Sequence, residues 1–178
     1  GKSEILPVVF LDAPGGTYWR DWFVFVRDQM HASGWISEDD FALFKVTDDV
    51  EEAVREVLLF YRNYHSMRWV RDELVMRVRI APDAMRLVAL NKEFGGLLAE
   101  GPIRVGPPHP EEGDELPNHA RLFLRFNRRR VGRLRQLIDR LNEYVDDGTA
   151  SPCDAVSREI FETAFSLEAL EEQEEEEA

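Results

Sequence analysis

Ile5-Leu6-Pro7-Val8-Val9-Phe10-Leu11-Asp12-Ala13-Pro14-Gly15-Gly16-Thr17 sets an unbroken apolar run against a glycine turn and a residue suited to cap a helix. A strand covered by helices on both faces is apolar throughout, whereas a half-solvated strand alternates, so Ile5 to Leu11 reads as a central parallel strand. Asp12 to Gly16 breaks the run, and Thr17 stands where a helix needs its cap. Beyond it Trp19, Trp22, Phe23, Val26 and Met30 recur at helical spacing, and Gly34 closes the helix. Ser37 can cap a turn over Glu38 to Asp40, and Leu43-Phe44-Lys45-Val46 is a short second strand. Thr47 or Asp48 starts the next helix. Asp48 with Glu51 resembles a capping box, and Val50, Ala53, Val54, Val57, Leu58, Tyr61 and Tyr64 form one apolar stripe.

The order is strand, helix, strand, helix, which implies parallel strands joined by right-handed crossovers. Two parallel strands leave hydrogen-bonding edges that this architecture normally covers with neighbours. The expectation is that another chain or fragment supplies the missing amino-terminal half of a Rossmann-like sheet.

The segments PVVFLDAPGGTYWRDWFVFV, GWISEDD, TDDVEEAV and FYRNYHS resemble the carboxyl half of the LOG family. These are Rossmann-like, lysine decarboxylase-like proteins whose characterised members are nucleoside 5′-monophosphate phosphoribohydrolases. The likeness covers residues 4 to 66, and extended bacterial members are similar through about residue 145. It implies an α/β fold, a nucleotide ligand and hydrolysis of the bond between base and ribose. The family's signature is a PGGxGT turn followed by a helical Glu, with an Arg upstream, and this chain lacks all three. Pro14-Gly15-Gly16-Thr17-Tyr18 is not that turn: position 18 is Tyr, and no Glu occurs between Tyr18 and His31. In the resemblance, Gly15, Gly16, Thr17 and Tyr18 belong to a loop at the mouth of the nucleotide pocket. Read physically, a Gly-Gly turn entering a helix either offers backbone N–H groups to an anion or simply joins strand to helix.

Tyr61 to Trp69 gathers aromatics, Arg62, Arg68 and His65 at an expected helix end. Two readings fit. The arginines meet phosphate oxygens while an aromatic stacks on a base, or the cations complement the helix dipole and the aromatics anchor the next module.

The chain then changes character. Glu73 to Ile80 reads as a strand with one wet face, Pro82 to Phe94 as a helix ended by Gly95-Gly96, and Ile103 to Val105 as a short strand. Gly106 to Asn118 is an acidic, exposed loop, Ala120 to Phe126 an alternating strand, and Val131, Leu134, Ile138, Leu141 and Val145 line a last helix. The result is a small βαββα module of ferredoxin-like or ACT-like kind, mainly antiparallel with helices on one face. The expected divisions are 1–66, 67–147 and 148–178.

Residues 121 to 140 hold eight arginines and one acid, Asp139, in a chain of net charge −13. Arg128, Arg129, Arg130, Arg133 and Arg135 open the last helix and oppose its positive dipole end, so they must gain from an anionic effector, an acidic partner surface or pairing within the chain. Nucleic acid is disfavoured because no aromatic platform or known motif accompanies the charge. From Asp146 a linker, a short helix over Asp154 to Phe165 and a solvated tail are expected; residues 168 to 178 include seven glutamates.

At 178 residues and 44% hydrophobic, the chain can bury a core in one or two domains. Its one cysteine, Cys153, excludes an internal disulfide, and the four histidines show no metal-ligand spacing. No run is long enough to span a bilayer. The expectation is a cytoplasmic homo-oligomer with a nucleotide ligand and no cofactor or metal. It is either part of a nucleotide N-glycosidase or a non-catalytic module that binds an effector or a partner protein.

Overall fold

The computed structural model describes residues 5–112 and 116–145, all within one compact unit, Gly1–Val145. The linker, short helix and acidic tail expected from residue 146 lie outside the described residues. The class is mixed α/β: a two-stranded parallel sheet and a four-stranded antiparallel one.

Strands β1 (Val9–Leu11) and β2 (Lys45–Thr47) pair in parallel with Phe10 opposite Val46. β1 is shorter than its apolar run because Pro7 has no N–H to extend the ladder. It has β2 on one side and no strand on the other among the described residues. Helix α1 (Tyr18–Phe25) follows β1 and runs into a π-helical turn, Val26–His31. Gly34 ends it as expected, at φ +75° with its N–H donating to the His31 carbonyl at 2.9 Å. Thr17 does not cap an α1 amide; its hydroxyl donates to Asp21, and Asp12 accepts from the Trp19 N–H at 2.9 Å instead. Ser37 and Asp40 close the 3₁₀ segment Glu38–Leu43. Helix α2 (Val50–Phe60) is capped by Asp49, one residue beyond the expected Asp48.

This part lacks a deep core. Phe10 stacks on Trp19 at 4.6 Å and meets Trp22 and Phe44 at 4.8 and 5.4 Å, yet all four rings are only half-buried. Among the described residues before position 61, the buried apolar side chains are Ile5, Val26 and Phe60. The stripe read along α2 is corrected: Val50, Val57 and Leu58 are exposed, and the residue that α2 buries is Phe60.

The second sheet is β3 (Tyr64–Val70), β4 (Glu73–Val78), β6 (Ala120–Phe126) and β5 (Leu98–Gly106), in that order and antiparallel throughout. With α3 (Ala84–Phe94) and α4 (Val131–Asn142), the order is ββαββα rather than βαββα. The extra strand is β3, in the segment read as a helix end, and the division expected after residue 66 falls inside it. Leu74, Met76, Leu122 and Leu124 form the core beneath Leu90, Phe94, Leu134, Ile138 and Leu141. Full burial of such a side chain contributes roughly 1.5–3 kcal/mol, so most of the stabilising burial lies here.

The other face of this sheet is not wet. Val70, Val75 and Phe123 form a small cluster, and Arg77 and Arg121 are buried with Glu112. The loop expected to be exposed reaches over the sheet through that glutamate. Close packing and hydrogen bonds hold the parallel sheet's surroundings to α4. Gly132 lies so close to the 3₁₀ segment that a Cβ there would come within 2.0 Å of the Asp39 carbonyl oxygen. The Asn142 side-chain oxygen accepts the N–H groups of Asn63 and Tyr64, each at 2.9 Å, while its amide donates to the Phe60 carbonyl at 2.7 Å.

Candidate functional site

The glycine turn sits at the carboxyl end of β1. Gly15 takes φ +76°, which suits a residue without a side chain, and its N–H donates to the Asp48 carboxylate at 3.0 Å. The Gly16 N–H donates to the Ala13 carbonyl at 2.7 Å. Both amides that an anion would need are therefore engaged within the chain, and Asp12 and Asp48 put negative charge beside them. The turn serves as a joint between the β1–α1 and β2–α2 loops. Thr17 is exposed, and Tyr18 is exposed with its ring edge-on to Trp19.

Arg62, His65 and Arg68 do not share one pocket. Arg62 lines a cleft of about 250 Å³ with Glu56, Arg135, Asp139 and Glu143. Arg68 stands opposite Val75 on the second face of the antiparallel sheet. The His65 ring meets that of His119 at 4.8 Å, and its Nδ1 is 2.9 Å from the Ser66 hydroxyl. Nothing in the sequence around His119 marks it, because its ring contact comes from β3, far along the chain. Both its ring nitrogens are buried without a hydrogen-bond partner among the described residues. Burial first, then the nearby His65, Arg79, Arg121 and Arg77 charges, lower its pKa from the ordinary value.

Beside this pair Glu112 joins two buried guanidinium groups, accepting from Arg77 Nε at 2.9 Å and from Arg121 Nε at 3.1 Å. Burial pushes the Glu112 carboxyl up, but the His109 N–H and the Arg121 and Arg77 side chains outweigh it and hold it below the usual range.

The arginine-rich stretch resolves into contacts within the chain. Arg130 pairs with Asp39 at 2.5 Å, Arg135 with Glu56 at 2.5 Å and Asp139 at 2.9 Å, and Arg140 with Glu143 and Glu93. Arg125 pairs with Asp72 and Glu100, and Arg133 lies over the Phe94 ring. Arg128 rests over the Trp69 ring at 4.1 Å with a backbone φ of +62°. The Arg129 side chain makes no ion pair, hydrogen bond or ring contact among the described residues; its backbone N–H donates to Asn127.

A cavity of about 390 Å³ opens beside Arg128, lined by Ile5, Leu6, Val8, Leu43, Met67, Trp69, Leu74, Phe126, Val131 and Leu134. Among the described residues no group of three or more His, Cys, Asp or Glu could hold a metal ion, and no helix is long and apolar enough to cross a membrane.

Compared with known proteins, the chain matches no family model, no curated protein and no solved structure.

Proposed function

We propose that this chain supplies the last two strand–helix units and an accessory α+β module of a LOG-like nucleotide N-glycosidase. The reaction is hydrolysis of a nucleoside 5′-monophosphate: water adds at the ribose C1′ carbon, the bond to the base breaks, and base and ribose 5-phosphate leave. The observation that carries the reading is the parallel β1–β2 pair, whose β1 edge has no partner strand among the described residues and whose aromatic layer is half-covered. Such an edge fits further strands from a preceding segment or another chain. That part would bring the PGGxGT turn and its Glu. Gly15, Gly16, Thr17 and Tyr18 would form the pocket rim, with Asp12 and Asp48 suited to accept hydrogen bonds from hydroxyl groups rather than to hold phosphate.

A second reading has its own support. The antiparallel module holds most of the buried apolar residues, as a binding unit independent of catalysis would. In that reading the chain is a regulatory or scaffolding relative.

One experiment separates them. The chain is co-expressed with a polypeptide carrying PGGxGT and the following Glu, and ribose 5-phosphate release is measured from a panel of nucleoside monophosphates. Release supports the glycosidase. A stable complex without release supports regulation, and failure to form a complex removes the completed-sheet reading.

A further inference from the structure

We propose that the cavity beside Trp69 and Arg128 binds a small monocarboxylate carrying a medium-chain alkyl or aryl group. This does not rest on the nucleotide reading. At about 390 Å³ the cavity falls within the range of small-ligand sites. Its walls, including Leu43, Met67, Leu74, Phe126 and Leu134, are apolar, and Arg128 is the one charged residue among its lining.

Arg128 supplies the polarity. Arg125, Arg130, Arg135 and Arg140 each pair with an acid, whereas Arg128 forms no ion pair among the described residues and lies across the Trp69 indole. Its left-handed backbone is a strained conformation for a residue with a side chain, and strain of this kind gathers where a side chain is positioned for a ligand. A carboxylate can dock on that guanidinium in the forked geometry arginine favours, leaving the indole contact on the other side. The apolar body then enters the cavity and leaves water. A phosphate chain would ask for several cations, and an amine would be repelled.

Calorimetric titration of the 178-residue chain with octanoate, octanol and octylamine tests this. Octanoate is expected to bind about tenfold tighter than octanol, the effect of one charge-assisted contact. Arg128→Gln, at an exposed position, should abolish that preference while leaving the fold intact by circular dichroism. Val131→Trp, which fills the mouth, should remove binding of both. The proposal is overturned by no octanoate binding, by equal affinity for octanoate and octanol, by an unchanged preference in Arg128→Gln, or by octanoate binding that survives Val131→Trp.

Discussion

Gly132 shows how little room a single atom can have. Its missing Cβ would meet the Asp39 carbonyl oxygen and the Asp40 nitrogen, both backbone atoms that cannot swing aside. Gly132→Ala should therefore cost about 3 kcal/mol, the upper part of the overpacking range. Urea unfolding checks it, and a loss below about 1 kcal/mol would mean that α4 and the 3₁₀ segment separate easily. Glu112 is a second such residue. Removing the carboxylate that Arg77 and Arg121 share, as in Glu112→Gln, should destabilise by about 3 kcal/mol, as for one partner of a buried ion pair.

The same groups set the response to acid. Glu112 titrates below its ordinary 4.5 when folded, so its contribution is complete above that value and is lost as the pH falls through the lower folded one. His119 titrates below its ordinary 6.5, so folding favours the neutral ring and that contribution fades earlier on the way down. Thermal midpoints followed from neutral pH downward should fall in two stages. His119→Gln should flatten the first and Glu112→Gln the second; a profile unchanged in both variants would exclude these residues as the cause.

At the scale of elements, Asn142 links the end of α2, the start of β3 and the end of α4. Asn142→Ala would strand buried backbone groups of Phe60, Asn63 and Tyr64, at a cost of about 3 kcal/mol or more. A fragment of residues 56–145 keeps Phe60 and β3 and should unfold cooperatively in urea. A fragment of residues 71–145 removes β3 and bares the edge of β4, so it should not; equal cooperativity would show β3 to be dispensable. What could be read from sequence follows from periodicity. β6 alternates in residue type, although Arg121 to Leu124 are all buried, and Leu134, Ile138 and Leu141 of α4 are buried at the expected steps. β3 was illegible because a bulge between Tyr64 and Ser66, together with burial of Val70 on the second face of the sheet, leaves Tyr64, Met67 and Val70 buried at steps of three, a helical rhythm. The expected α2 cap, Thr47 or Asp48, misses Asp49 because three adjacent residues of capping type leave the spacing no means of choosing among them. The arginine cluster was visible as composition, but partners such as Asp39 of Arg130, ninety-one positions away, are a property of the fold.

Across the whole molecule, those ion pairs turn positive charge inward onto the chain's own acids. A phosphate-rich ligand thus finds fewer available cations than the arginine count suggests, and the surface field stays negative. The part before residue 61 owes its stability to its neighbours. Residues 1–66 expressed alone should be poorly soluble, and clean two-state unfolding of that piece as a monomer would contradict the incomplete-sheet reading.

The half-covered indoles of Trp19 and Trp22 give that reading an intrinsic optical signal. Trp35 is 81% exposed and supplies a steady long-wavelength background. Trp69 lies in the antiparallel sheet under Arg128 and adds a second constant signal, whereas a polypeptide that closes over β1 would dehydrate Trp19 and Trp22, so its arrival should appear as a shift of emission to shorter wavelength, with no label attached.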